Sequence, residues 1–272
     1  MTRRVDDAPL RGIPPLLLVP AVAAIAVLVL PLVALVGRVD WSSIVADLTS
    51  PAALDALGLS LATGALATLA CLVLGVPLAL VIARAGPRVA GWLRALVTIP
   101  LVLPPMVGGI ALLSLLGRTS LVGQVLDAGL GIRLPFTTAA VVLAQTFVAL
   151  PFLVLAVEGT LRAAGTSYEQ VAATLGASRW TAFRRVTLPL VAPGLVAGTV
   201  LCFARALGEF GATALFAGNA AGTTRTMPLA IYTAFNGAGV SQGSAVALSL
   251  LLFVVAVVIL VLVRGWRPGS VS

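Results

Sequence analysis

The sequence predicts an all-α integral membrane protein with six transmembrane helices, and three observations carry that prediction. Of the 272 residues, 60% are hydrophobic and only 10% are charged, with a mean hydropathy of +1.14. A water-soluble domain of this length needs far more polar surface. Six apolar runs follow one another, at roughly 14–36, 56–83, 95–117, 136–157, 190–216 and 243–263. Each can cross about 30 Å of hydrocarbon at about 1.5 Å rise per residue. The third observation is charge asymmetry: the net charge of +8 rests wholly on arginine, because the sequence has no lysine.

The arginines orient the chain. With the N-terminus inside, the cytoplasmic face collects Arg3, Arg4, Arg11, Arg84, Arg88, Arg94, Arg162, Arg179, Arg184, Arg185, Arg264 and Arg267. Only Arg38, Arg118, Arg133 and Arg225 fall outside, as the excess of basic residues beside cytoplasmic span ends requires. Both termini, a tail at 1–13 and another at 264–272, are therefore expected in the cytoplasm. Arginines scattered among apolar spans fit membrane topology better than nucleic-acid binding, and no nucleic-acid partner is expected.

Taken in order, the first run (14–36) exceeds a typical signal-peptide core, and the Arg3-Arg4 pair ahead of it is followed by Asp6-Asp7. It is read as a retained span. The second run holds Gly58, Ser60, Ala62, Thr63, Gly64, Ala65, Ala67 and Thr68, small residues that let helices approach closely. The third contains Pro100, Pro104, Pro105, Gly108 and Gly109. Proline frees backbone groups that lipid cannot satisfy, so this stretch is either a packing kink or a segment lining a gate. The fourth ends near Glu158, which can pair with Arg162 at i+4. The fifth is glycine-rich with uncertain ends, and the sixth closes the membrane domain.

Between the fourth and fifth runs lies a polar, arginine-studded island at 159–189. Thr166 and Glu169 have the spacing of a capping box. Tyr168, Val171, Ala172 and Leu175 recur at helical spacing and give the short helix one apolar face. Gly176 is placed to end it in a left-handed conformation, and Ser178 to cap a second short helix. That helix carries Trp180 and Phe183, with Arg179, Arg184 and Arg185 nearby, and is expected to bend or stop at Pro189. Two short helices with a glycine elbow look built to dock onto something outside the bilayer; the alternative is an amphipathic island resting on lipid headgroups.

Polar chemistry inside the spans is sparse. Arg205 and Glu209 stand at i and i+4 in the fifth run and can neutralise one another. An isolated arginine at mid-bilayer costs roughly 2.5–3.5 kcal/mol on insertion scales, so pairing or water contact is required. The pair either fixes this span structurally or faces a translocation path. Asn219 and Arg225 belong to an outer loop that forms an ordinary polar turn or meets an external partner. Cys71 and Cys202 both fall within apolar runs, and with no histidine in the chain neither a metal site nor most general-base chemistry is expected. A GxxxxGK[ST] loop is impossible without lysine, so ATP hydrolysis cannot reside here. No catalytic residue is expected. A lipid-modifying membrane enzyme would need clustered acids or histidines at one interface, and an ion-coupled secondary transporter would need midplane ionisable residues with internal repeats.

The island resembles the EAA loop of permease subunits of type I ATP-binding-cassette importers. That pattern is Glu-Ala-Ala, three residues, Gly, nine residues, an aliphatic, one residue, then Leu-Pro. Here Gly176, the spacing and Leu188-Pro189 match, while the triplet reads Gln170-Val171-Ala172, with Glu169 one residue early. The match covers about 55–263. A second stretch, Phe203-Ala-Arg205-Ala-Leu-Gly208-Glu209-Phe-Gly211 through Gly218-Asn219, followed by Thr224-Arg-Thr-Met-Pro228, is similar to molybdate permeases, with sulfate, thiosulfate and tungstate permeases as near relatives. The resemblance implies a multi-pass subunit of a bacterial-type inner membrane with ATPase-coupling residues Glu169, Gln170, Val171, Ala172, Leu175, Gly176, Arg179, Leu188 and Pro189. It also implies two copies of a cytoplasmic ATPase carrying ATP and Mg, an external solute-binding protein, a second copy of this chain and no cofactor bound by this chain itself.

Overall fold

The chain folds as helices joined by short turns, and proline opens many of them. A computed structural model describes residues 14–237 and 242–264; the expected tail 1–13 and residues 265–272 of the other expected tail lie outside the described residues. Helices α1 (Pro15–Gly37), α2 (Ile44–Leu48), α3 (Pro51–Arg84), α4 (Pro87–Val102) and α5 (Pro105–Leu116) come first. Helices α6 (Leu121–Leu130), α7 (Thr138–Ala164), α8 (Ser167–Thr174) and α9 (Arg179–Ala182) follow. A π-helical turn at Phe183–Thr187 leads into α10 (Leu188–Leu207), then α11 (Gly211–Phe216), α12 (Met227–Phe235) and α13 (Gln242–Arg264). A proline sits in the first turn of α1, α3, α4, α5, α10 and α12, where its missing N–H costs nothing and its fixed φ suits the helix. Side-chain caps start others: Ser50 accepts from Ala53 N, Ser120 from Gly123 N and Thr137 from Ala140 N.

The centre is α3, α7 and α10 packed through small residues. Ala67, Cys71, Ala149, Leu153, Val157, Cys202 and Ala206 form its buried core. Glycines bring the axes together: a Cβ at Gly194 of α10 would lie 1.8 Å from Thr160 Oγ1 of α7, and one at Gly198 would lie 3.0 Å from Ala156 Cβ. Small residues take this place in membranes because lipid tails match leucine in polarity, so close van der Waals contact drives association. Of the small residues expected to pack in α3, Ser60, Thr63, Gly64, Ala67 and Thr68 are buried, whereas Gly58, Ala62 and Ala65 are exposed. Around this centre, α1 buries none of its apolar span.

The apolar runs and the helices differ in three places. The run at 95–117 is not one rod: the chain bends by 111° between α4 and α5, because Pro104 is extended (φ −53°, ψ 134°) and Pro105 restarts the helix. The run at 190–216 stops at Leu207, and α11 begins separately at Gly211. Hydropathy is continuous across the gap, but Glu209 accepts the Ala212 N–H at 2.8 Å and starts a new helix there. Finally, Pro189 neither bends nor stops the chain. The π turn ahead of it absorbs the residue, so that Arg179–Leu207 forms one 29-residue apolar rod. The described helices long and apolar enough to span are α1, α3, α7 and this rod; the bent α4–α5 pair is either a broken span or a re-entrant loop, and the sixth run lies in α13, with its apolar stretch at Gly243–Ile259.

Candidate functional site

The island at 159–189 projects from one end of the bundle as the expected two short helices. Gly176 takes φ +82°, and the N–H groups of Gly176 and Ala177 bond the carbonyls of Ala173 and Ala172, both at 3.0 Å. Only glycine enters this left-handed region without strain, so the elbow depends on it. Ser178 Oγ accepts from Thr181 N at 3.2 Å and opens α9. The rings of Trp180 and Phe183 lie with centroids 5.5 Å apart.

The capping box does not form. Thr166 makes no side-chain cap bond; its hydroxyl accepts from Gln170 Nε2 at 3.3 Å instead. Glu169 turns inward, where its carboxylate pairs with Arg84 at the end of α3 and accepts from Thr187 Oγ1 at 2.5 Å. Charge-assisted bonds of this kind are roughly twice as strong as a neutral cap, which decides the competition. One carboxylate therefore ties α8 to α3 and to the entry of α10. Beneath it, a cavity of about 250 Å³ is lined by Leu80, Arg84, Glu169, Arg179, Phe183 and Thr187 among others. On the outer face of α8 the apolar residues have no cover: Tyr168, Val171 and Leu175 are 62%, 58% and 82% exposed. Ala172 is half-buried, Leu188 is half-buried at the start of α10, and Pro189 is exposed beside it.

A second ionic knot secures the same end. Glu158 of α7, buried, pairs with Arg94 of α4, whose Nε donates at 3.2 Å, and with Arg162 at 3.4 Å. The i+4 partner was legible from spacing. Arg84 and Arg94 as ion-pair partners were not, because they stand 85 and 64 residues from their carboxylates and look in sequence like topology markers.

Arg205 and Glu209 do meet, with Nη2 and Oε2 2.7 Å apart, a Coulombic contact rather than a directed hydrogen bond. The Glu209 side chain is 1% exposed and that of Arg205 25%. Around them a cavity of about 290 Å³ is lined by Pro105, Met106, Arg205, Gly208, Glu209, Phe210 and Gly211. Two of the kink residues expected in the third run thus reach this region: Pro105 directly, and Pro104 as the extended residue before it. Gly108 and Gly109 serve packing, since a Cβ at Gly109 would sit 2.8 Å from Ala212 O and one at Gly108 3.1 Å from Phe147. Pro100 stays within α4.

The loop between α11 and α12 is tied to its neighbours: Thr138 Oγ1 of α7 donates to the Thr223 carbonyl at 2.9 Å. Arg225 Nε donates to Asn219 Oδ1 at 2.9 Å and Asn219 Nδ2 to Thr233 Oγ1 at 2.9 Å. Thr224, fully buried, accepts from Ala220 N at 2.9 Å. Among the described residues no group of three or more His, Cys, Asp or Glu is placed to hold a metal, and Cys71 and Cys202 are free and buried.

These features define a class: a multi-pass α-helical membrane subunit with a fastened, outward-facing pair of short helices at one end. The family model described as the inner membrane component of binding-protein-dependent transport systems matches residues 75–268. The molybdenum transport system permease of Mycobacterium tuberculosis is 54% identical over 249 residues, covering 92% of this chain and 93% of that protein. The corresponding Escherichia coli protein is 41% identical over 191 residues, covering 70% and 83%. Among solved structures, a bacterial alginate ABC transporter in complex with its alginate-loaded periplasmic protein shares the fold with a TM-score of 0.69 at 18% identity, over 91% of each chain. The MetNI methionine transporter does so with a TM-score of 0.59 at 19% identity, over 77% of this chain and 94% of that one. The chain belongs to the binding-protein-dependent transport permease family. It is a permease subunit of an ATP-binding-cassette importer, and ATP hydrolysis resides in a separate chain.

Proposed function

We propose that this subunit passes molybdate across the inner membrane, taking it from an external binding protein and working as a homodimer on two cytoplasmic ATPases that carry ATP and Mg. The substrate reading is supported by relatives named as molybdenum permeases at 54% and 41% identity. The coupling reading rests on one observation: an uncovered apolar helix, α8, fastened to two spans by a single carboxylate. An apolar face with Val171 and Leu175 exposed and Ala172 half-buried suits an ATPase groove by the helix-in-groove mode. Closure of two ATPases then moves α8 as a rigid body. Through Glu169 the motion reaches Arg84 on α3 and Thr187 ahead of α10, and rocks both spans together. The excess of arginine beside this end supports a cytoplasmic position for it and for both termini.

Replacing Gly176 by valine tests the docking role. A β-branched side chain at φ +82° is strained, so the α8–α9 elbow changes shape while the spans still insert. The expected result is normal membrane insertion with strongly reduced ATPase co-purification. Normal ATPase recovery on the variant refutes docking by this elbow.

A further inference from the structure

We infer that Arg205 and Glu209 form a self-competing anion site: an arginine that receives the transiting dianion, with a built-in carboxylate that releases it. The inference rests on the importer reading above and deepens it by naming where the dianion is met inside the permease.

The placement is the first argument. α4 has 16 residues, and Arg205 lies 17 residues beyond Leu188; at about 1.5 Å per residue both reach about 25 Å from the same end of the bundle. At that depth two chain breaks meet, Leu103–Pro104 between α4 and α5 and Gly208–Phe210 between α10 and α11. They touch directly: a Cβ at Gly211 would lie 2.8 Å from Pro105 Cβ and 3.1 Å from Met106 N. Interrupted helices at membrane depth are tolerated where they are buried in protein or line a water-filled cavity, and such breaks are where transporters place ion sites. The cavity here, about 290 Å³ and open on one side, has room for a tetrahedral oxyanion with part of its hydration, since one water takes about 30 Å³ of the liquid.

The bonding pattern is the second argument. A pair retained only to fasten helices ties one element to another, as Glu158 and Glu169 do. Every side-chain polar contact of Arg205 and Glu209 among the described residues falls within positions 205–212: the ion pair itself and Glu209 Oε1 on Ala212 N. Glu209 is held by that backbone bond and fully buried, whereas Arg205 is a quarter exposed to the cavity. The carboxylate is fixed and the guanidinium has donors to spare. Arginine's planar fork suits a tetrahedral oxyanion through two N–H bonds. A dianion entering the cavity displaces Glu209 from Arg205 by carrying more charge. When the spans rock, Glu209, still anchored on Ala212, takes the arginine back and the anion leaves. An arginine with no internal competitor would hold the anion instead of passing it.

The experiment uses the whole importer, permease with ATPase and binding protein, reconstituted in vesicles, with molybdate uptake expressed per assembled complex. Arg205→Gln is expected to lower uptake about tenfold or more with complex yield retained. Glu209→Gln keeps the Ala212 acceptor and removes the competing charge, so it is expected to lower both the maximal rate and the half-saturating anion concentration. Wild-type uptake by both variants overturns the site. Losses that merely follow reduced complex yield, and that the double variant Arg205→Gln/Glu209→Gln repairs, overturn it in favour of a purely structural pair. A wild-type complex that hydrolyses ATP and carries sulfate or tungstate but no molybdate corrects the proposed cargo alone; the same variants then judge the site with that anion.

Discussion

The two ends of the fifth span use charge in opposite ways. At the Leu188 end, Glu169 reaches across to Arg84 of α3 and to Thr187 ahead of α10, and Glu158 reaches across to Arg94 of α4 as well as to Arg162 one turn along its own helix. At the Leu207 end, the side chains of Arg205 and Glu209 reach, among the described residues, only one another and the next turn of their own chain. Between the ends, α3, α7 and α10 pack by small residues and carry no ion pair among the described residues. The contrast separates two uses of an ionic group in a membrane protein. One that bridges elements makes them move together; one that satisfies itself locally leaves its elements free and its charge available.

Breaking the bridges should therefore cost stability, and the more buried bridge should cost more. Glu158 is buried and serves two arginines. Glu158→Gln removes the charge and presents an amide to guanidinium donors, and is expected to destabilise the folded subunit by about 2 kcal/mol. Thermal unfolding in detergent measures it; an unchanged midpoint would mean the knot is ornamental. Glu169→Gln should cost less, about 1 kcal/mol, because Arg84 and Glu169 remain 33% and 25% exposed. Its larger effect belongs to coupling: with α8 loosened from α3, less molybdate should be carried per ATP hydrolysed. A transport ratio equal to wild type would show that motion reaches the spans by the covalent chain alone.

What could be read in advance follows the range of the forces involved. Lengths of apolar runs, the arginine asymmetry, the Gly176 elbow and the Ser178 cap depend on neighbours in sequence, and all are visible there. The proline cluster announced a packing kink or a gate-lining stretch, though not a 111° bend between two separate helices, where Gly109 packs against Ala212 and Gly211 against Pro105. The end of α10 was hidden because hydropathy runs on through α11, and only the Glu209 carboxylate on Ala212 N reveals the restart. The failed capping box is the clearest case. Thr166 and Glu169 have the right spacing, yet a guanidinium 85 residues away takes the carboxylate. Local pattern proposes a partner, and tertiary distance chooses among rivals.

The smallest expected change tests the other half of the contrast, an element that interacts outward instead of inward. Leu175 is 82% exposed and touches neither ionic knot. Leu175→Ser should shift the stability of the isolated subunit by no more than about 0.5 kcal/mol. If the α8 face enters an ATPase groove, the same substitution removes the burial of one leucine, worth about 1.5 kcal/mol or more, and weakens ATPase binding about tenfold. Titration of the ATPase onto subunit embedded in lipid discs reads the difference directly. Undiminished affinity would move the docking surface off this face, toward the Trp180 and Arg184 side of α9, and leave Glu169 fastening a helix that transmits nothing.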